Sequence, residues 1–498
     1  MNLFLKLSNW QLTVISGILI GVSYQPWNLG FLSYFGFIPL IKIFLNNNSK
    51  QNFKYGYFFG FIYNLISNYW IGANSGAETI IVLFSLFLAT AYLALFWGFA
   101  GFLIGTLNKN NDAIFTLPFL IVILEWLRSF GPLGFDWGNL ALTQVNYLSV
   151  LQFNDIFGTY FSSFIIMSVN ISIYYIIKHK IKYIYYFLLA ITLFLFLGNY
   201  RLKAYKPSKD YFKISIIQPN LDPKEKWNLS NKLKTLSIMD SLYNEAILLS
   251  PNLILFPETA LPTYLTLDNK LRSKLQKKVN KTNIPILIGT VDRKIGSDGE
   301  RIFNNSSLFM QPNKDYEIYA KMHLVPFAEY DLVPKFLHPL IHLNLNIDRG
   351  VFMGGKYFKL FEWKNVKFGN LICYESSFSR YAREYAKKGA RILMIQANDG
   401  WLGTSSGPYQ HFSLAILRAI ENRLPVVRSG NTGISGLILP SGKVKLKKGL
   451  KKRAVFLVNV PISSNNSFFS EYGDFFAVIC YVIFLFIGSI KCSKEKLF

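Results

Sequence analysis

Apolar residues dominate the first two hundred positions in long runs broken by short polar stretches, and the pattern then changes. Runs approaching the roughly 20 residues needed to cross a bilayer as a helix occupy 10–27, 31–45, 55–72, 80–107, 113–127, 156–177, 183–200 and, near the end, 472–490. This pattern predicts eight membrane helices, with the second and fifth short for a full crossing. The first run carries no small-residue cleavage site and is followed by further runs, so it reads as a retained helix and not a removed signal peptide.

Between 201 and 471 the period is different. Short β-rich runs at 212–218, 252–257, 284–290, 306–311, 366–375, 391–398, 424–430, 434–440 and 453–460 predict strands. Helical patterns at 230–250, 379–388 and 408–422 lie between them, the last with Pro408 at a first helical position. Strands interleaved with helices predict a layered α/β domain. The expected organisation is therefore helices one to seven in 1–200, an α/β domain in 201–471, and a final membrane helix with a short tail in 472–498.

Composition supports this division: 51% of residues are hydrophobic and 17% aromatic, against 16% charged. The net charge of +25 comes from scattered lysines and builds no basic face for nucleic acid. Lys6, Lys50, Lys54, Lys109, Lys178, Lys180, Lys182, Lys491, Lys494 and Lys496 all fall at ends on one side of an eight-helix topology, whereas the connections 73–79 and 129–155 are poor in lysine. Positive residues stay cytoplasmic, so both termini are expected inside and 201–471 outside, in the periplasm of a Gram-negative cell.

Candidate chemistry sits at predicted strand ends. Glu258 follows a strand in "FPETA", Lys321 and Glu329 lie in "YAKMHLVPFAEY", and Cys373 stands in "LICYES". Of three cysteines, Cys480 and Cys492 belong to the last helix and tail, so Cys373 has no disulfide partner in its own domain. That leaves a buried inert thiol or a reactive one. Glu258 can take the thiol proton and return it to a leaving group, and Lys321 with the Tyr374 N–H can hold an oxyanion. Taken singly, each has an ordinary structural explanation: core filler, turn cap, solvated lysine. The histidines, including His323, His338, His342 and His411, show no ligand spacing with the cysteines, so no metal or cofactor is expected, and His323 reads as a bystander. In the helical part, Glu125 and Arg128 of "EWLR" are candidates because charge at a membrane boundary is costly. Asp136 and Trp137 read as possible interfacial anchors.

Together, the stretches around Glu258, Lys321 and Cys373 resemble the nitrilase superfamily, which uses a Glu-Lys-Cys triad in an α-β-β-α sandwich. Within an eight-helix frame, and with "IIQPNLDPKEKW" at 216–227, "EWLR", "NDGWLGTSSGPYQHF" at 398–412 and "RAIENRLPVVRSGNTGIS" at 418–435, the chain resembles the apolipoprotein N-acyltransferase family over nearly its whole length. The resemblance implies Glu258, Lys321 and Cys373 as catalytic residues, with Glu329, Tyr374, Glu375 and Trp227 in support. It also implies a phospholipid acyl donor, a diacylated apolipoprotein acceptor, a thioester intermediate, a monomer, and an inner-membrane location with the catalytic domain periplasmic. An apolar lid is expected over 330–353. The competing readings are a membrane-tethered amidohydrolase with the same triad, and a non-catalytic scaffold or transporter.

Overall fold

The computed structural model describes residues 7–107, 112–178, 182–295, 299, 301–329, 351–463 and 466–495. Lys6, Lys109, Lys180 and Lys496, most of the expected lid (330–350), and His338 and His342 lie outside the described residues.

All eight apolar runs contain helix, but several are interrupted. Helix α1, Asn9–Gly21, opens on Ser8, whose hydroxyl accepts from Gln11 N–H while the Gln11 side chain accepts from Ser8 N–H. The second run is broken into a 3-10 turn, Gly30–Tyr34, and α2, Ile38–Asn46. Asn170 services the break, accepting from Phe37 N–H at 3.0 Å and donating to Ser33 O at 2.8 Å; in lipid a broken backbone needs such partners. The third run gives α3, Ser49–Ser67, and the fourth gives α4, Thr79–Leu107. These two helices lie close because glycines line their contact: a Cβ on Gly56 would meet Trp97 O at 2.4 Å, and one on Gly101 would meet Asn52 O at 2.2 Å. The rest are α5, Leu117–Arg128, α6, Thr159–Ile177, and α7, Lys182–Ala204.

Among the described residues three helices are long and apolar enough to cross a membrane, Thr79–Leu107, Thr159–Ile177 and Ile184–Ala204, with Gly30–Asn46 and Phe475–Ser489 as shorter apolar helices. Hydropathy alone overstated the continuity of the others. It counts apolar residues and does not see the break before Phe37, or the polar start of α3 at Ser49, Lys50 and Gln51.

The α/β part holds two sheets. The first has the order β13-β1-β2-β3-β4-β5, with β6 also on β4; the second is β12-β11-β10-β9-β8-β7. Their strands are β1 Tyr211–Gln218, β2 Leu253–Leu255, β3 Ile286–Ile295, β4 Arg301–Met310, β5 Glu317–Ala320, β6 Val351–Phe352, β7 Leu360–Trp363, β8 Val366–Ile372, β9 Ile392–Ala397, β10 Val426–Gly430, β11 Ser435–Ile438, β12 Val444–Lys448 and β13 Ala454–Pro461. Period-two alternation builds the layers. Ile214, Ile216, Leu253, Leu255, Leu287 and Phe309 face inward onto Phe368, Leu371, Ile395 and Val427 of the opposite sheet. Their neighbours Ile217, Ile254, Ile286, Ile288, Leu308 and Met310 face outward under α8, Lys232–Leu248, and α9, Asn269–Thr282. Helices α10, Ser379–Lys387, and α11, Ser406–Asn422, cover the second sheet, giving the expected α-β-β-α order. Helix α11 is capped by Ser405 and begins two residues before Pro408, a correction to the expected start. The final apolar helix, α12, is Phe475–Glu495.

The two parts are joined at one end of the helices. Trp137 and Asp136 do not anchor in an interface with water: both are buried where the domains meet. Trp137 Nε1 donates to Gln410 Oε1 at 2.9 Å, and Asp136 Oδ2 accepts from Ser379 N–H at 3.1 Å. Gln410 Nε2 donates to Ser67 O at 2.8 Å, and Arg423 pairs with Asp155 at 2.8 Å. Glu125 and Arg128 brace the same junction. Glu125 Oε1 accepts from Leu140 N–H, and Arg128 donates to Phe135 O and to Asn139 Oδ1.

Candidate active site

Strands β1, β2 and β3 run parallel, as do β8, β9 and β10. Their C-terminal ends therefore share one edge of each sheet, where ligands gather in layered α/β folds. Glu258 leaves the end of β2. Its loop lies directly on β3, and Gly289 is what permits the approach: a Cβ there would stand 2.5 Å from Pro257 O, 2.6 Å from Thr259 N and 2.7 Å from Glu258 Cα. Lys321 follows β5, and its own N–H donates to Asn305 O at 2.7 Å. Cys373 follows β8 with φ +50, in the left-handed region that a non-glycine residue rarely adopts. The strand therefore ends at Ile372, three residues before its expected end, and a 3-10 helix, Cys373–Ser377, begins. The first N–H groups of such a turn have no partner within it, which leaves the Tyr374 N–H suited to an oxyanion.

The structure brings Glu258, Lys321, Cys373 and Glu329 together. Lys321 Nζ lies 2.6 Å from Glu329 Oε2 and 4.0 Å from Glu258 Oε1. The Cys373 thiol and the Glu258 carboxylate are close enough that each shifts the other's ionisation. Asn305, on β4, was not singled out by sequence; its Nδ2 donates to Glu258 Oε1 at 2.7 Å and to Glu329 Oε1 at 2.9 Å, spacing the two carboxylates. Glu329 Oε2 also accepts from Val325 N–H. The paired asparagines Asn304 and Asn305 inside a strand are the signal the sequence offers, since strands disfavour them.

Burial and neighbouring charge set the ionisation. Burial pushes the Cys373 thiol well above its usual range, and Glu258 adds to this; Lys321 opposes. Burial also raises Glu258, against the pull of Lys321. Glu329 would rise on burial but is held below its usual range by Lys321. Burial would lower Lys321, yet Glu329 and Glu258 outweigh it and hold the ammonium charged. The site thus sets a thiol held neutral and a carboxyl raised by burial beside an ammonium held charged.

Glu375 is fully buried and ties the Cys373 turn to the lysine loop: Oε1 accepts from Tyr319 OH at 2.8 Å and Met322 N–H at 2.6 Å, and Oε2 from Ile372 N–H at 2.8 Å. Burial lifts it to about 7. Tyr374 turns towards the membrane helices, its OH donating to Gly134 O at 3.1 Å. Trp227 is half-buried at the end of the one-turn helix Pro223–Lys226, and among the described residues no hydrogen bond or ring contact joins it to the triad. His323 packs on Phe378, Tyr374 and Tyr381 and is pushed down to about 4 by burial, then by Arg380, so it stays neutral.

Behind Cys373, His411 Nε2 lies 3.0 Å from the Cys373 carbonyl oxygen and Nδ1 lies 2.6 Å from Asp399 Oδ1. Cys373, Asp399 and His411 have donor atoms within 4.8 Å of one another, the one metal-type grouping found among the described residues. It suits a cation poorly: Arg428 NH2 lies 2.7 Å from Asp399 Oδ2 and 3.0 Å from His411 Nδ1, so an incoming metal would face a guanidinium.

A sandwich of this topology, with a thiol, a carboxylate and an ammonium meeting at its strand ends, defines a nitrilase-type carbon–nitrogen hydrolase domain; residues 213–465 match the family profile described as Carbon-nitrogen hydrolase. Residues 16–172 match the profile described as Apolipoprotein N-acyltransferase N-terminal domain. The chain belongs to the apolipoprotein N-acyltransferase family. It is 30% identical to the apolipoprotein N-acyltransferase of Rickettsia prowazekii over 95% of this chain and 96% of that one. It is 29% identical to that of Geobacter metallireducens over 95% of this chain and 93% of the relative. Among solved structures, an amidase of Nesterenkonia AN1 covers 51% of this chain and 92% of its own, at 16% identity and a TM-score of 0.40.

Proposed function

We propose that this protein transfers an acyl chain from a membrane phospholipid to the N-terminal α-amine of a diacylglyceryl-cysteine apolipoprotein, through a thioester on Cys373. The observation that carries this reading is the Glu258–Lys321–Cys373 cluster, its two charged members buried and its cysteine partly exposed, seated against the ends of membrane helices. In the first half-reaction Glu258 accepts the Cys373 proton and the thiolate attacks the ester carbonyl. Lys321 Nζ and the Tyr374 N–H stabilise the oxyanion. The C–O bond breaks, Glu258 returns its proton to the departing lysophospholipid alkoxide, and the thioester remains. In the second half-reaction the α-amine attacks the thioester, Glu258 takes the amine proton, the amide forms, and the Cys373 thiolate leaves and is reprotonated.

Glu329 supports Lys321, Glu375 holds the nucleophile turn, and Tyr374 and Trp227 line the approach to substrate. Both lipid substrates keep their tails in a leaflet; drawing a chain into water costs about 0.8 kcal/mol per CH₂, which a site at the helix ends avoids. The lysine-poor connections 73–79 and 129–155 support a periplasmic catalytic domain on the inner membrane with eight crossings: Ser75 N–H donates to Trp401 O, and Gly134 O accepts from Tyr374. We read the working unit as a monomer.

Intact-mass analysis of the full chain mixed with phospholipid tests the reading. The expected result is one added acyl group, lost in Cys373→Ala and discharged by a diacylated lipopeptide. Acylation that survives Cys373→Ala, or an acyl-enzyme discharged by water and not by the lipopeptide, refutes it.

A further inference from the structure

Among the described residues two lysines are buried, Lys321 and Lys226, and the mechanism above uses one. Lys226 closes the one-turn helix Pro223–Lys226, which Asp222 starts by accepting from Lys224 and Glu225 N–H. From there its ammonium sinks beneath the loop that follows β2. It donates to Thr259 O at 2.6 Å and to Thr259 Oγ1 at 3.2 Å.

Thr259 is the residue after Glu258 and has φ +44, an outlier for a β-branched side chain. The buried ammonium is therefore bonded to the residue whose backbone aims the general base. Taking a charge out of water costs several kcal/mol, more than two hydrogen bonds to neutral oxygens return. Stability alone would be better served by an apolar side chain, so the charge at this position calls for a functional explanation. Burial depresses Lys226 to about 8, and Glu258 is the charge that pulls it back up.

We propose that Lys226 is a positioning residue for Glu258: it locks the strained Thr259 backbone and fixes a second positive charge on the residue next to the carboxylate's own. The second charge matters because Lys321 is shared. Lys321 Nζ is closer to Glu329 than to Glu258, 2.6 Å against 4.0 Å, and in the reaction it turns to the oxyanion. The groups that face Glu258 are Lys321, Glu329, Asn305 and Cys373; Glu329 pushes its carboxyl up, and Lys321 pulls it down. Lys226 approaches from a separate element and is not committed to any other carboxylate among the described residues. This role rests on the reading of Glu258 as the base.

Two pH profiles test it on the full chain in detergent or nanodiscs, for wild type, Lys226→Met, Lys226→Gln and Lys226→Arg. One is the iodoacetamide alkylation rate at Cys373, read by peptide mass; the other is acyl-enzyme formation with phospholipid. Loss of the charge should move the acid limb of both profiles up by roughly half a unit to one unit, in Lys226→Met and Lys226→Gln alike. Lys226→Arg should keep the wild-type limb. Lys226→Gln retains a donor for Thr259, so it separates charge from hydrogen bond even if Lys226→Met fails to fold. An acid limb unmoved in folded Lys226→Gln overturns the proposal. Wild-type protein that alkylates with a Glu258-dependent limb but takes no acyl group sinks the acyl-transfer reading, while the alkylation arm still decides the role of Lys226.

Discussion

Gly289→Ala should disable catalysis with little loss of fold. The new Cβ would stand 2.5 Å from Pro257 O, 2.6 Å from Thr259 N and 2.7 Å from Glu258 Cα, all backbone atoms that no rotamer change can clear. Ordinary contact begins near 3.4 Å, so the Glu258 loop must retreat by roughly 0.7–0.9 Å. Overpacking of this kind costs about 1–3 kcal/mol of stability, which a well-packed sandwich tolerates. A displacement of about 1 Å at a catalytic group costs on the order of 100-fold in rate. The assay is acyl-enzyme formation by intact mass, with melting temperature measured in parallel. Gly449→Ala is the control, since nothing lies within 4 Å of a Cβ there. Wild-type acylation by Gly289→Ala would show that Glu258 is not held where the chemistry needs it.

Glu329→Gln removes the negative charge of Lys321's 2.6 Å partner; breaking a buried ion pair costs about 3–5 kcal/mol, and both a lower melting temperature and an acylation rate reduced by about 100-fold are expected. The Asp399 carboxyl would rise on burial, but Arg428 and then His411 hold it at about 2. A depressed folded value gives stability that is present above the unfolded value and lost as pH falls, so wild type should lose on the order of 2 kcal/mol between about pH 4 and pH 2 through this group. Asp399→Asn should melt lower at neutral pH and lack that increment in a melting-temperature series against pH. The excised domain 205–467 should fail to turn over even a soluble short-chain ester that the full chain accepts; equal turnover would mean that the membrane part only tethers.

Sequence reasoning reached Glu258 and Cys373 because each follows an apolar strand whose sharp end is written in polar residues, "PET" and "YESS". It missed α9, where Lys274, Lys277, Lys278 and Lys281 mask a narrow stripe of Leu275 and Val279, and it missed β12, a lysine-rich edge strand. Edge strands carry such charges to avoid further pairing, and a hydropathy pattern discounts them for the same reason. Asn305, Lys226 and His411 were not legible as site residues. Their significance lies in what they touch across distant chain segments, and a buried lysine reads in sequence like any solvated one.

The turn that holds Cys373 is gripped from three directions: Glu375 ties it to the lysine loop, His411 to the Asp399–Arg428 pair, and Tyr374 to Gly134 in the membrane part. Trp137, from the same membrane connection, stacks on His411 with ring centres 4.9 Å apart. A cysteine with φ +50 stores strain, and such a conformation persists only where its surroundings over-determine it. Two of the groups that do so here, Gly134 and Trp137, belong to the connection between α5 and α6. That connection therefore touches the thiol's turn directly, and displacing it should relax the turn before it disturbs either sheet.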